Sequence, residues 1–329
     1  MLLGDAINVT HFKSSNNVDI YIGQMDAEWC IRSVPNGGYV LAQIVQACIQ
    51  QQRNTTTPDP IHVTAHFLSA TSTSSFEIHV RVQKRGRNFT NLLAELLQDN
   101  ATKVTSHLIF GALEPPSDSG KDAINLIPPS PYARRLPLHH HPSNAPRKQL
   151  SDRYKFGSRF DATQEPEIVS RNAISSPQRT NSSTVGGGGL DYGIWCGFKD
   201  KGETVILANI PFFADISTNA PVLLPKEYRQ RLGRSWFPTM VMTIEYKFPL
   251  PKLSKDHSNR TIGIFSSTKF IHGTMGRQDM YTEIWTAPCD VGENVEVADG
   301  WRDKQFCLAV STQMALTVPI AWNLAKGKL

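Results

Sequence analysis

Little in this sequence is extreme, and each shortage excludes something. Charged residues make up only 19% of the 329, with a formal net charge of +5. Lys and Arg form no cluster interleaved with aromatics, so a nucleic-acid partner is not expected. Such a mild positive excess suits an acidic small ligand equally well. No stretch approaches the roughly 20 apolar residues of a membrane span. The N-terminus MLLGDAINVTHFK lacks the apolar centre of a signal peptide. A soluble intracellular protein is expected, so triplets such as Asn88-Phe89-Thr90 are not read as glycosylation sites. There are only five cysteines, Cys30, Cys48, Cys196, Cys289 and Cys307, with no CxxC spacing. Their odd number and apolar surroundings predict buried, reduced thiols rather than a disulfide framework or a zinc site. No GxSxG is present, which excludes a serine-hydrolase elbow.

What the sequence does have is a repeated plan. The length allows two domains of ordinary size, each with its own core. In GGYVLAQIVQACIQQQ, Val40, Leu41, Ile44, Val45, Cys48 and Ile49 share one helical face, and Gln43, Gln46 and Gln50 share the other. The helix follows Pro35-Asn36-Gly37, a turn-forming run that leaves the first-turn N–H groups at Gly37 and Gly38 free. The period then changes to two in FEIHVRVQK, and FTNLLAELLQ and KVTSHLIF continue it, so a four-stranded meander is expected. A second series follows. FFADISTNAPVLLPKEYRQRL reads as a proline-interrupted helix with Asp215 at its start. TMVMTIEYKF, TIGIFSSTKF, MYTEIWT and QFCLAVSTQMAL read as the second sheet. The helix starts, the segments VTAHFL and TIEYKF, and Gly86-Arg87 and Gly276-Arg277 match at offsets of 177, 180 and 190. That spacing is far too long for a solenoid and predicts two fused copies of one α+β domain.

Residues 1–113 are assigned to the first copy and 151–329 to the second. Between them, eight of the chain's 21 prolines fall between Pro115 and Pro146, which predicts an extended linker over 114–150 that contributes little core. His139-His140-His141 lies inside it, but consecutive residues in a flexible segment do not preorganise a metal site. SSPQRTNSSTVGGGG reads as a mobile loop, and without a following Lys-Ser/Thr it is no phosphate loop. The chain closes on Gly327-Lys328-Leu329, one residue away from the peroxisomal Ser-Lys-Leu address. A frayed basic tail in a cytoplasmic protein is the alternative.

Polarity is out of place on the last strand. Cys307, Ala309, Ser311 and Ala315 form a small-residue face suited to close helix packing, and Gln313 belongs to it. A buried amide there needs partners or costs about 1–3 kcal/mol. A sheet-edge Gln bonded to a neighbouring loop is the alternative to a functional role.

The two-copy plan, with WCIRSVPNGGYVLAQIVQA in the first copy and AVSTQMAL near the end, resembles the double-hotdog acyl-CoA thioesterases of the thioesterase II type. The resemblance spans the chain except the linker and the Gly-rich loop. It implies a double hotdog, each copy a long central helix wrapped by an antiparallel sheet, with homo-oligomers formed through the sheets. It implies hydrolysis of an acyl thioester such as acyl-CoA, without metal or organic cofactor. It also implies that an Asp, a Thr and a Gln jointly hold the hydrolytic water. Asp215, Thr239 and Gln313 stand at the matching places, with Thr243 a second candidate for the threonine. Asp215 would then be the base, Thr239 and Gln313 would hold the water, and the Gly37 and Gly38 amides would receive the oxyanion. The first copy lacks this polar set, which suggests one working site per chain. A non-hydrolytic acyl-binding scaffold remains an alternative, as does an enzyme that releases or reshapes an enzyme-bound polyketide. A hydratase is disfavoured because its characteristic Asp-His pair is not found.

Overall fold

The computed structural model describes residues 1–116, 126–128, 130–173, 188–229 and 233–326. The Gly-Lys-Leu terminus and most of the Ser/Gly-rich stretch lie outside the described residues. The first half contains strands β1 (Thr10–Ser15) and β2 (Val18–Gln24), helix α1 (Gly37–Gln52), and strands β3 (Asp59–Phe67), β4 (Ser75–Arg85), β5 (Thr90–Gln98) and β6 (Ala101–Gly111). The second contains β7 (Phe160–Gln164), β8 (Leu190–Phe198), helix α2 (Ile210–Asp215), β9 (Thr239–Tyr246), β10 (Thr261–Thr268), β11 (Arg277–Thr286) and β12 (Cys307–Ala315). These strands join into one antiparallel sheet in the order β1-β2-β4-β5-β6-β3-β9-β12-β11-β10-β8-β7. Counted inward from its own outer edge, each half runs in the same strand order. At the seam, Thr64 pairs with Thr243 and Val63 with Ile244, so the two segments matched from sequence are each other's partners.

The expected meander is only partly present. β4, β5 and β6 are consecutive hairpins, but β3 lies on the far side of β6, where it forms the seam. The alternation in β5 is clean, with Leu92, Ala94 and Leu96 buried against α1. β1 and β2 were not foreseen.

The long second helix is not observed. A 3₁₀ turn over Leu207–Asn209 runs into α2, which ends at Asp215, and a separate short helix spans Ala220–Leu223. Pro211 sits in the first turn of α2, where its missing N–H is harmless. Pro221 and Pro225 forbid any continuous helix beyond it. Asp215 therefore ends a helix instead of starting one, and the end of ETVILANI supplies the helix entry. What α2 lacks in length it makes up in burial: Ile210, Pro211, Phe212, Phe213 and Ala214 are all interior.

The 114–150 segment also departs from expectation. Leu136, Leu138 and Ala145 are buried in a cluster with Trp195, Phe265 and Trp285 on the sheet face opposite α2. Arg302 holds the Leu136 and Leu138 carbonyls, and the Trp195 indole N–H donates to the His140 carbonyl at 2.8 Å. Glu165 is only 1% exposed and accepts both the His139 and His140 amides, at 2.7 and 2.9 Å. Burial alone would push the Glu165 carboxyl up, but these donors and the His140 ring hold it below the ordinary range. Residues 130–150 form a strap, not a slack tether: proline removes N–H donors without preventing apolar side chains from packing. Leu138→Ala should accordingly destabilise the fold by about 2–5 kcal/mol in equilibrium denaturation. An unchanged denaturation midpoint would restore the slack-linker description.

The main core is shared, with Tyr39, Leu41 and Leu108 of the first half in one cluster with Phe156, Phe212 and Ile264 of the second. All five cysteines are free thiols. Among the described residues no helix is long and apolar enough to cross a membrane, and no group of His, Cys, Asp or Glu is placed to hold a metal ion.

Candidate active site

The site forms where α1 and α2 meet. Gly38 allows the approach: a Cβ there would overlap the Pro211 carbonyl and stand 2.7 Å from the Asp215 Cβ. A ring cluster fixes the angle. Trp29, just ahead of α1, stacks on Phe156 at 5.6 Å between centroids and meets Phe212 edge-on at 5.3 Å. With Phe212 and Phe213 locked, the carboxylate closing α2 has little freedom.

Asp215 is half-buried and gathers donors from both halves of the chain. Its Oδ2 accepts the Gly38 amide at 2.9 Å and the Asn36 side-chain amide at 2.9 Å. Its Oδ1 accepts the Thr239 hydroxyl at 3.1 Å. Loss of hydration dominates and pushes the carboxyl up to about 6, against the opposing pull of Gly38, Thr239, Asn36 and the Gly37 amide. A carboxylate with such a value still ionises near neutrality and takes up a proton readily, as a general base must.

The sequence left Thr239 and Thr243 open, and they are far apart in role. Thr239 follows Pro238 at the start of β9, where a register irregularity before Val241 aims it at Asp215. Thr243 lies at the seam, its hydroxyl 3.3 Å from that of Thr64. Gln313 is 5% exposed on the small-residue face of β12, and its Nε2 donates to the Ala214 carbonyl at 2.9 Å. Its Oε1 is buried with no partner among the described residues. The three residues thus converge.

The glycine amides do something other than expected. The Gly38 N–H points at Asp215, so the helix α1 N-terminus stabilises the carboxylate's charge and is not free to meet an oxyanion. Asn36 was missed altogether. It is fully buried, caps α1 by accepting the Tyr39 amide at 2.9 Å, and turns its other end to Asp215. The available signal was an Asn directly before the helix, a preferred N-cap, read only as part of a turn.

Two cavities open here. One of about 150 Å³ reaches Asp215 and Thr239 between Val34, Val40, Phe67 and Phe237. The other, about 410 Å³, shares Ile31, Trp236 and Phe237 with it. Tyr154 borders the larger one. Burial, together with the charge of Asp215, pushes its phenol up to about 12.

This architecture is that of the hotdog proteins. A protein of Thermobifida fusca YX provisionally assigned as a thioesterase II superposes with a TM-score of 0.66 at 19% identity, over 96% of this chain and 99% of its own. An Alicyclobacillus acidocaldarius protein of unknown function with the hot dog fold gives 0.62 at 15%, over 96% and 97%. The acyl-CoA thioesterase II TesB2 of Mycobacterium marinum gives 0.62 at 12%, also over 96% and 97%. No curated protein matches the sequence. Residues 25–111 match the family of the acyl-CoA thioesterase N-terminal domain.

Proposed function

We propose that the chain hydrolyses an acyl thioester, with acyl-CoA as the substrate, by a water that Asp215 deprotonates. The observation that carries this is the unpartnered Gln313 Oε1, on a side chain bonded to the residue before Asp215, whose carboxylate is held by Thr239 and Asn36. In this reading a water donates one hydrogen bond to Asp215 and the other to Gln313 Oε1. Its lone pair is thereby directed at the thioester carbon. Asp215 takes the proton as the C–O bond forms, and the tetrahedral intermediate expels the thiolate. The proton then passes from Asp215 to the thiolate, leaving a free acid and a thiol. Every hydrogen bond to Asp215 stabilises its charged form, which keeps the base ionised at neutral pH despite burial. The strand order repeated on either side of the β3–β9 seam supports reading the sheet as two fused hotdog units with one such site.

Thiol release from a panel of acyl-CoAs tests the reading. The kcat/KM profile should fall on the acid side with an apparent pKa near 6, as Asp215 takes up its proton. No thiol release from any member, with acyl-CoA still bound, would transfer the assignment to an acyl-binding scaffold.

A further inference from the structure

The larger cavity has an unbalanced charge. Its charged lining consists of Arg32, Lys148, Asp152 and Arg153, three cations against one carboxylate. The Asp152 side chain is 89% exposed and 3.9 Å from Arg32. Lys148 is different. It is half-buried, its backbone N–H is tied to the Ala162 carbonyl at 2.8 Å, and its ammonium donates to the neutral Gln164 Oε1 at 2.9 Å. The ammonium also lies 5.8 Å from the centre of the Tyr192 ring. Among the described residues no carboxylate comes within ion-pair distance of it. Burial pushes its pKa down, and no neighbouring charge opposes that.

Half-buried cations are ordinarily paired, because dehydration without a counter-charge is costly. An amide oxygen and an aromatic face are partial compensation only. The rest of the cavity wall mixes apolar and aromatic residues, among them Leu150, Tyr154, Tyr192 and Val222, with the neutral polar Gln149, Ser151, Thr218, Asn219 and Ser235. The cavity shares Ile31, Trp236 and Phe237 with the smaller one that reaches Asp215, and Tyr154 and Tyr192 line it together with Lys148. A ligand whose reacting carbon sits at Asp215 has a path for a second group to reach Lys148.

We propose that this cavity is a substrate subsite for an anionic group, with Lys148 as its counter-ion, an inference that rests on the thioester hydrolase reading. The anion is a carboxylate or phosphate of the thioester, carried either at the far end of the acyl group or on the thiol carrier. Specificity then resides partly in the strap, which delivers Lys148 and Leu150 to the cavity wall. Other occupants are less well suited, since a plain alkyl chain would leave the ammonium dehydrated and unpaired.

Four substrates separate the sources: one acyl length, ending in methyl or carboxylate, each on CoA or on phosphate-free N-acetylcysteamine. In Lys148→Met, the kcat/KM ratio of anion-bearing to anion-free thioester should fall at least about tenfold, mostly through KM, and Lys148→Arg should recover most of it. A fall confined to the terminal carboxylate places the anion on the acyl group, and one confined to CoA places it on the carrier. Because each ratio is internal to a variant, partial misfolding cancels. A ratio unchanged on both comparisons overturns the subsite and leaves the hydrolase reading standing. Should the wild type release no thiol at all, calorimetric binding of free CoA and of glutarate, compared between wild type and Lys148→Met, still decides the subsite. Equal binding by both proteins overturns it.

Discussion

Asp215→Asn should lower kcat for thiol release by about 10²–10⁴-fold, the usual cost of losing a general base, while substrate binding persists. The asparagine oxygen can still accept the Gly38 and Asn36 donors, so the loss reports proton transfer and not a collapsed site. The same variant should gain stability. The Asp215 carboxyl is raised from 3.8 to about 6 by burial, so the folded chain holds this proton more tightly than the unfolded chain does. Its stabilising contribution is complete below pH about 4 and is lost as pH rises through about 6. At pH 7–8 the charged group burdens the fold. Asp215→Asn should therefore melt no lower than wild type at pH 8, and its advantage should vanish near pH 4. A wild-type rate in Asp215→Asn would remove the residue from the mechanism. A sharply lowered melting temperature at pH 8 would mean that its ionic hydrogen bonds outweigh its dehydration.

Gly38→Ala is the second large effect expected, although it removes no functional group. The added methyl meets the Pro211 carbonyl and the Asp215 Cβ, both backbone-anchored, so α1 and α2 must move apart. Displacement of a catalytic group by about 1 Å can cost about 10²-fold in rate, and that is the magnitude expected in kcat. Gly37→Ala should be milder, since its nearest neighbour is the Asp215 Oδ2 at 3.2 Å and the next is the Phe67 ring. If Gly38→Ala retained full kcat, the helix contact would not govern the position of the base.

How much of this was legible beforehand depends on the range of the determinant. The β4 alternation and the out-of-place Gln313 are written in local periodicity and are where the sequence puts them, whereas Gln43, expected on the polar face of α1, is fully buried and bonded to the Ala6 carbonyl. The repeat match between VTAHFL and TIEYKF was legible, but not that the two segments pair with each other at the seam. The end of α2 was misjudged because proline at a first helical turn and proline as a breaker look alike in sequence. The free glycine amides were misassigned for a related reason. Their partner, Asp215, lies 177 residues from Gly38, and no local pattern reports it. Leu136, Leu138 and Lys148 were obscured by composition: a run of prolines says what the backbone cannot donate, not what the side chains between them touch.

The seam also has a kinetic consequence. Thr64 and Thr243 are partners 179 positions apart, as are Asn36 and Asp215. Closing such long loops is entropically slow, and chains dominated by distant pairings fold slowly. The hairpins β4–β5–β6 and the β11–β12 pair have far shorter closures and can form first. On that order the N-cap asparagine meets its carboxylate only after the local hairpins have formed, when β3 and β9 pair. Until that moment two open sheet edges face solvent, which makes the seam strands the segments most exposed to misassociation during synthesis.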